Sequence, residues 1–273
     1  MPSDSGGFGA AEFAEIGRTV AAVAGVQIGP GKEGLVRSRL ARRLRELGVA
    51  TVAEYVARVR DDASGRERDQ MVDLLTTNTT HFFREPAHFD VVRDGVVPAF
   101  GGVPGGLRVW SAGCATGEEA YTLAMVLRGA VPDVDRRPAD APRVLATDLS
   151  CRALAVAAHG VYARARVVDV PTALLREHFD ALPDDAWTAR PALRAVVRFA
   201  RLNLMDLWPM RGPFHAIFCR NVMIYFDKPT QQTLVSRLHV LLAPGGFLFV
   251  GHAESLTGLT HGFTYVRPAV YRK

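Results

Sequence analysis

One stretch of the chain leaves few folds open. Residues 107–127 read LRVWSAGCATGEEAYTLAMVL. An apolar, β-prone run with Leu107, Val109 and Trp110 leads into a turn bearing Gly113 and Gly117. From about Glu118 the periodicity becomes helical, with Ala120, Leu123, Ala124 and Leu127 on one face. Strand, glycine turn and helix in that order form the nucleotide corner of open α/β sheets, at the carboxyl end of a strand. Glu118 and Glu119 narrow the ligand. A pyrophosphate cradle presents bare amides at the helix start, and acid there opposes it. S-adenosylmethionine, a nucleoside with a sulfonium cation and no phosphate, suits such a turn better. The competing explanation is that both acids only complement the helix dipole, and a lone GxxTG turn does not decide between the two.

The surrounding pattern extends the α/β reading. Residues 11–75 read as helices throughout, with a stop at Leu47-Gly48 and Thr51 as the next N-cap. The charged run 61–70 is expected to join two helices. After the breaker GGVPGG at 101–106, strands are expected at 107–112, 144–146, 196–200, 216–219 and 247–250. Helices are expected near 116–129, 151–158 and 229–242, and a polar loop at 132–142. This alternation predicts a mainly parallel sheet covered by helices. Residues 161–201 interrupt it, and are expected to hold a helix at 171–179 and short antiparallel strands inserted into the α/β domain.

Composition removes several classes of function. With 273 residues, the chain can form one large domain or two smaller ones, and 48% hydrophobic residues argue against disorder. No apolar run approaches the roughly 20 residues that span a bilayer. The N-terminal MPSDSGGFGA has no basic, apolar leader, so a cytoplasmic protein is expected. Cys114, Cys151 and Cys219 show no CxxC spacing, which suits reduced thiols. The eight histidines form no HxxxH or HExxH pair, so no metal site is expected.

The net charge of +5 permits nucleic acid, a membrane surface or an acidic protein as partner. Its densest patch is Lys32, Arg37, Arg39, Arg42, Arg43 and Arg45, on a helix whose apolar stripe is Val36, Leu40, Leu44 and Leu47. Zinc-finger spacing and RNA-binding aromatics are missing, which favours an acidic protein surface over nucleic acid. A merely solvated face is the plainer alternative.

Other candidate residues fall at strand ends. Asp148 closes VLATD, about 30 residues past the glycine turn, where an acid can take ribose hydroxyls. Asn203 follows the run at 196–200; its amide could read an adenine edge, or form a turn. The strand at 216–219 ends in RNVMIY, and Tyr225 is either an aromatic hydroxyl beside a reacting methyl or a core ring. Outside the sheet, TTNTTHFFREPAHF at 76–89 sets Asn78, Thr80 and Arg84 among Phe82, Phe83 and Phe89. It reads as a lid over a site or as an amphipathic linker helix.

Taken in order, TTNTTHFFRE, WSAGCATGEEAYTLA, ATDLS, VRFARLNL, FCRNVMIYFD and GGFLFVGHAESL resemble the CheR family of chemotaxis protein-glutamate methyltransferases, over nearly the whole chain. The resemblance implies a small all-α domain at 1–75 and a methyltransferase domain at 76–273. The latter would be a Rossmann-like α/β sheet with an antiparallel β-subdomain inserted at roughly 161–201. It implies S-adenosyl-L-methionine as cofactor and S-adenosyl-L-homocysteine as product. Asn78, Thr80, Arg84, Glu118, Asp148, Asn203, Leu204, Arg220 and Asn221 match cofactor-contacting positions, beside Gly113 of the turn. Arg84 and Tyr225 match the residues next to the transferred methyl. The basic helix matches the receptor-contacting helix through Arg39, Arg42, Arg43 and Arg45. The implied partner is the cytoplasmic helical bundle of a chemoreceptor, a methyl-accepting chemotaxis protein. Nucleic acid and membrane insertion are not expected, and the enzyme is expected to be a monomer.

The implied chemistry needs no general base, because a glutamate with an ordinary pKa of roughly 4.3 is already ionised near neutral pH. Two other functions remain open: a methyltransferase for another protein, and a non-catalytic S-adenosylmethionine-binding module. Some family members grip a peptide at the receptor's C-terminus through a glycine-bearing loop of the insertion. This chain has no glycine between Gly160 and Gly212, and its segment FDALPDDAWTARPAL looks short. A receptor contact without that tether is therefore expected.

Overall fold

The computed structural model describes residues 8–103, 106–131 and 143–273. The expected loop at 132–142 thus lies outside the described residues. The described chain forms two compact units, one of Met1–Thr77 with Tyr225–Thr230, the other of Asn78–Ile224 with Gln231–Lys273.

The smaller unit is helical, with α1 (Ala10–Ala24), α2 (Glu33–Leu47), α3 (Val52–Asp61) and α4 (Arg66–Leu75). Each helix buries one stripe: Ile16 and Val20 from α1, Val36 and Leu40 from α2, Val56 from α3, Met71 and Val72 from α4. Gly48 ends α2 in the left-handed region at φ 65°, and the Thr51 hydroxyl accepts the Glu54 amide to cap α3, both as expected. The charged run at 61–70 is not a plain linker, since its second half is the first turn of α4. The reason is local: Asp62 accepts the Glu67 amide at 2.8 Å and the Ser64 amide at 2.9 Å, which closes a tight turn into the helix.

The larger unit begins with an irregular segment, then α5 (Ala87–Val91), a π-helical turn at Val92–Val96 and α6 (Val97–Phe100). Next come β1 (Val109–Ala112), α7 (Glu118–Ala130), β2 (Val144–Asp148) and α8 (Cys151–His159). The insertion follows as β3 (Val161–Ala163), α9 (Thr172–His178), β4 (Phe179–Leu182), β5 (Ala186–Ala189) and α10 (Pro191–Arg194). The sheet resumes with β6 (Val197–Arg201) and β7 (Phe214–Phe218). After α11 (Lys228–Leu241) come β8 (Leu242–Phe249), β9 (Thr264–Arg267) and β10 (Val270–Arg272). No described helix is long and apolar enough to cross a membrane.

The main sheet has the order β6-β2-β1-β7-β8-β10-β9. The first five strands are parallel, and β10 runs antiparallel between β8 and β9. The order reverses between β1 and β7, so the crevice beyond their carboxyl ends is the switch point where open α/β sheets bind ligands. All of β1 and β7 is buried, as strands covered on both faces must be. Phe218 of β7 and Phe249 of β8 stack at 4.2 Å between centroids. The terminal β9-β10 hairpin was not expected from sequence, because β9 is exposed along its whole length and carries no apolar alternation.

The insertion is a three-stranded antiparallel sheet, β3-β5-β4, as expected in kind. It is shorter than 161–201, because Val197–Arg201 pairs with β2 and forms the edge of the main sheet. β4 and β5 are joined through Pro183, Asp184 and Asp185, with both aspartates in the left-handed region at φ 62° and 55°. Aspartate tolerates that region better than most residues, so the tight hairpin forms without glycine.

Candidate functional site

The glycine turn sits where the sequence places it, between β1 and α7. Gly113 has φ 86°, and a Cβ there would lie 2.5 Å from Val222 Cγ2. Gly117 has φ 97°, and a Cβ there would lie 2.8 Å from Ala157 Cβ of α8. Both positions therefore need glycine for conformation and for space. The amides of Gly113 and Cys114 donate to the Thr147 carbonyl at 2.8 and 2.9 Å, which fastens the turn to the end of β2. Asp148 completes the corner: one oxygen accepts the Ala115 amide at 2.8 Å, the other the Ser150 amide at 2.8 Å.

Neither acid of the pair acts only on the helix dipole. Glu118 is fully buried, accepts the Thr116 hydroxyl at 2.8 Å and is ion-paired to Arg166 from the insertion. Burial pushes its carboxyl above the ordinary range, against the pull of Arg166 and Thr116. Glu119 accepts the Ser111 hydroxyl of β1 at 2.6 Å and pairs with Arg220 at 2.9 Å. Arg220, just beyond β7, has a side chain 2% exposed. It also pairs with Glu85 at 3.0 Å and donates to the Arg84 carbonyl. One guanidinium thus joins the start of α7, the turn after β7 and the segment before α5.

That segment is neither a linker helix nor plain coil. Residues 77–81 have no regular structure, and Phe83 and Glu85 take φ 54° and 57° on either side of Arg84. Such backbone is unusual for these residue types and is held by its surroundings. Phe82 is fully buried edge-on to Tyr162 and Phe179 of the insertion, and Phe83 packs on Phe89. Arg84 is half-buried, with one nitrogen 3.3 Å from the Thr79 carbonyl. Asn78 and Thr80 are half-buried as well.

The remaining residues singled out in the sequence divide. Asn203 forms a turn: its oxygen accepts the Met205 amide at 3.0 Å and its nitrogen donates to Asp206 at 3.2 Å. Leu204 is buried. Asn221 sits at φ 58°, and its amide donates to Glu254 at 2.7 Å. Glu254 also accepts the amides of Gly251 at 2.6 Å and Ile224 at 3.1 Å, so one buried carboxylate holds the loops after β7 and β8 together. Tyr225 belongs to the helical unit, where its carbonyl accepts the Gln27 amide at 2.8 Å.

The basic helix is less free than its charge count implies. Arg39 caps the end of α4, donating to the carbonyls of Leu75 at 2.5 Å and Thr76 at 3.0 Å. Arg43 pairs with Glu67 at 2.5 Å, and Glu67 also accepts the Tyr55 hydroxyl at 2.9 Å. Arg42 and Arg45 are exposed, and Arg42 pairs along its own helix with Glu46 at 2.7 Å.

Arg166, Glu85 and Glu254 are absent from the sequence reading of the site, which names Glu119 only as the second acid of the turn. Glu119 alone had a local signal, as an acid inside an otherwise apolar helix start. The donor set fits S-adenosylmethionine. The buried Cys114 thiol is pushed well above its ordinary range, by burial first and then by the charges of Asp148, Glu119 and Glu118. Acids placed at the turn suit a ligand that carries a sulfonium and an ammonium better than a phosphate chain.

Residues 78–271 match the family model of the CheR methyltransferase SAM-binding domain, and residues 11–76 match that of the CheR methyltransferase all-alpha domain. The chemotaxis protein methyltransferase of Borreliella burgdorferi is 34% identical over 91% of this chain and 89% of its own. Chemotaxis protein methyltransferase 2 of Pseudomonas aeruginosa is 37% identical over 95% and 92%. The Escherichia coli chemotaxis protein methyltransferase is 36% identical over 96% and 90%. With its acid-lined glycine turn at the switch point of the sheet, the chain belongs to the CheR family of methyltransferases, an all-α domain joined to a SAM-binding domain.

Proposed function

We propose that this protein transfers the methyl group of S-adenosylmethionine to glutamate side chains of a chemoreceptor's cytoplasmic helices, giving methyl esters. The observation that carries the reading is the glycine turn of Gly113 and Gly117, with Glu118 and Asp148 beside it at the switch point of the sheet, in a chain that matches the family over both domains. The cofactor supplies an electrophilic methyl on a sulfonium leaving group. Asp148 would receive the ribose hydroxyls, and Glu118 the cationic end of the methionine moiety. Asn78, Thr80, Asn203, Leu204 and Asn221 would line the rest by the family's pattern. Arg220 would contact the cofactor by the same pattern, while its pairs with Glu85 and Glu119 tie the surrounding segments together. It holds the turns that the cofactor touches.

By the same pattern, Arg84 would lie next to the methyl, and Tyr225 matches the family's second residue of that kind. The substrate carboxylate is already an anion near neutral pH. The protein's task is then to align oxygen, carbon and sulfur and to strip water from the anion. A tight ion pair would blunt the nucleophile, so Arg84 would orient it through a partial contact. Exposed Arg42 and Arg45 would steer an acidic helical bundle. The tight Asp184-Asp185 hairpin supports receptor recognition without a C-terminal peptide tether.

The test is incubation with methyl-labelled cofactor and a receptor cytoplasmic fragment. The reading requires label that alkali releases as methanol, and that disappears when the receptor's glutamates are changed to alanine. Alkali-stable label would refute the ester. Micromolar binding of a receptor C-terminal pentapeptide would refute the untethered contact.

A further inference from the structure

Beside this corner lies a cluster that the methyl-transfer chemistry does not use. His88 is 1% exposed, and among the described residues neither of its ring nitrogens makes a hydrogen bond. An imidazole buried in this way loses solvation at both nitrogens without a partner to offset it. Its Nδ1 lies 3.5 Å from Glu85 Oε2, and His252 Nε2 lies 4.0 Å from the same oxygen. One ligand atom from each of the three residues falls within 4.8 Å of the others.

Two imidazoles and a carboxylate form a borderline-soft donor set of the kind that takes zinc, with an open position for water. Bonds of about 2.0–2.2 Å place neighbouring ligands roughly 3.3 Å apart, so the cluster must close by about an ångström. His252 can supply that movement, because its side chain is 54% exposed. Its backbone stays fixed, with the amide donating to Glu85 Oε1 at 3.1 Å. Arg220 lies against the same oxygen and opposes positive charge at His88, so a cation here depends on the surplus carboxylate. Arg220 is matched by Glu119, and Glu85 adds a second carboxylate to that single guanidinium.

We propose that Glu85, His88 and His252 form a binding site for one zinc ion. The ion competes with Arg220 for Glu85 Oε2, so its affinity is lower than that of a closed four-ligand structural site. The experiment uses the full-length, tag-free, metal-stripped protein, titrated with cobalt as a spectroscopic probe and then with zinc. One equivalent of cobalt should produce visible absorption bands of a nitrogen- and oxygen-ligated ion, and zinc should displace it. His252→Ala, at an exposed position, should fold normally by its metal-free melting temperature and lose at least tenfold in affinity. Cobalt that produces no such bands would overturn the proposal. So would an affinity that His252→Ala leaves unchanged. Neither readout depends on methyl transfer, so the test stands apart from the proposed activity.

Discussion

Replacing Arg220 with methionine tests whether the site is held together by one buried charge. The guanidinium is 2% exposed and faces two carboxylates, Glu119 at 2.9 Å and Glu85 at 3.0 Å, as well as the Arg84 carbonyl. Removing one partner of a buried pair strands the other, at about 3–5 kcal/mol. Glu119 would keep the Ser111 hydroxyl and Glu85 the His252 amide, so the lower end, about 3 kcal/mol, is expected. For a protein of this size that corresponds to a fall of about 6–12 °C in Tm. Arg220→Lys should lose about half as much, since an ammonium cannot reproduce the fork that reaches both acids. Adding Glu119→Gln to Arg220→Met should recover about 1–2 kcal/mol, within the usual range of coupling between contacting residues. Urea unfolding followed by tryptophan fluorescence suits the assay, because Trp110, Trp187 and Trp208 all lie in the larger unit. A loss under about 1 kcal/mol would equate the network with an exposed ion pair and refute the reasoning. Additive single and double variants would refute it equally.

Asp148→Ala should weaken S-adenosylhomocysteine binding at least tenfold by calorimetry, since about 1.5–3 kcal/mol rests on a hydrogen bond to a charged group; unchanged affinity would remove Asp148 from the site. Arg43→Ala should make the helical unit less stable and less sensitive to acid. Glu67 is held below its ordinary range by Arg43 first, with Tyr55 assisting against burial, so its contribution is full above about pH 4.3 and fades as pH falls through the lowered value. Circular dichroism from pH 6 to pH 2 would show the wild-type loss, and an identical profile in the variant would contradict it. Charge reversal at Arg42 and Arg45 should slow receptor methylation and reduce its dependence on salt, with S-adenosylhomocysteine affinity unchanged. Methylation indifferent to both changes would leave these residues as a solvated face.

The glycine turn was legible because its requirements are local. Gly113 and Gly117 stand within a few residues of the strand and helix they join, and the change of apolar period marks both. Asp148 was legible for the same reason, as the acid that ends a strand. The Arg220 network was not, because its partners lie 101 and 135 positions away and no periodicity links them. Arg166 reaches Glu118 across 48 residues, from an insertion whose short strands gave little pattern. The segment around Arg84 hid its shape for another reason: Phe83 and Glu85 occupy left-handed backbone without glycine or asparagine to announce it. In the basic helix, charge density identified α2 but could not separate the arginines with internal acceptors from those in solvent.

The discontinuity of the helical unit has a consequence for the newborn chain. Tyr225–Thr230 groups with the first 77 residues, and the Gln27 amide meets its acceptor only at Tyr225. About 150 residues separate Thr77 from that segment, and synthesis at about 5–20 residues per second makes the interval roughly 7–30 s. During that time the four helices can assemble but lack their last piece, while the strands of the larger unit emerge behind them. The small unit, whose helices precede the larger unit in the chain, is therefore finished only after most of that unit has been made. Its completion reports that the chain has been made and threaded as far as the loop after β7.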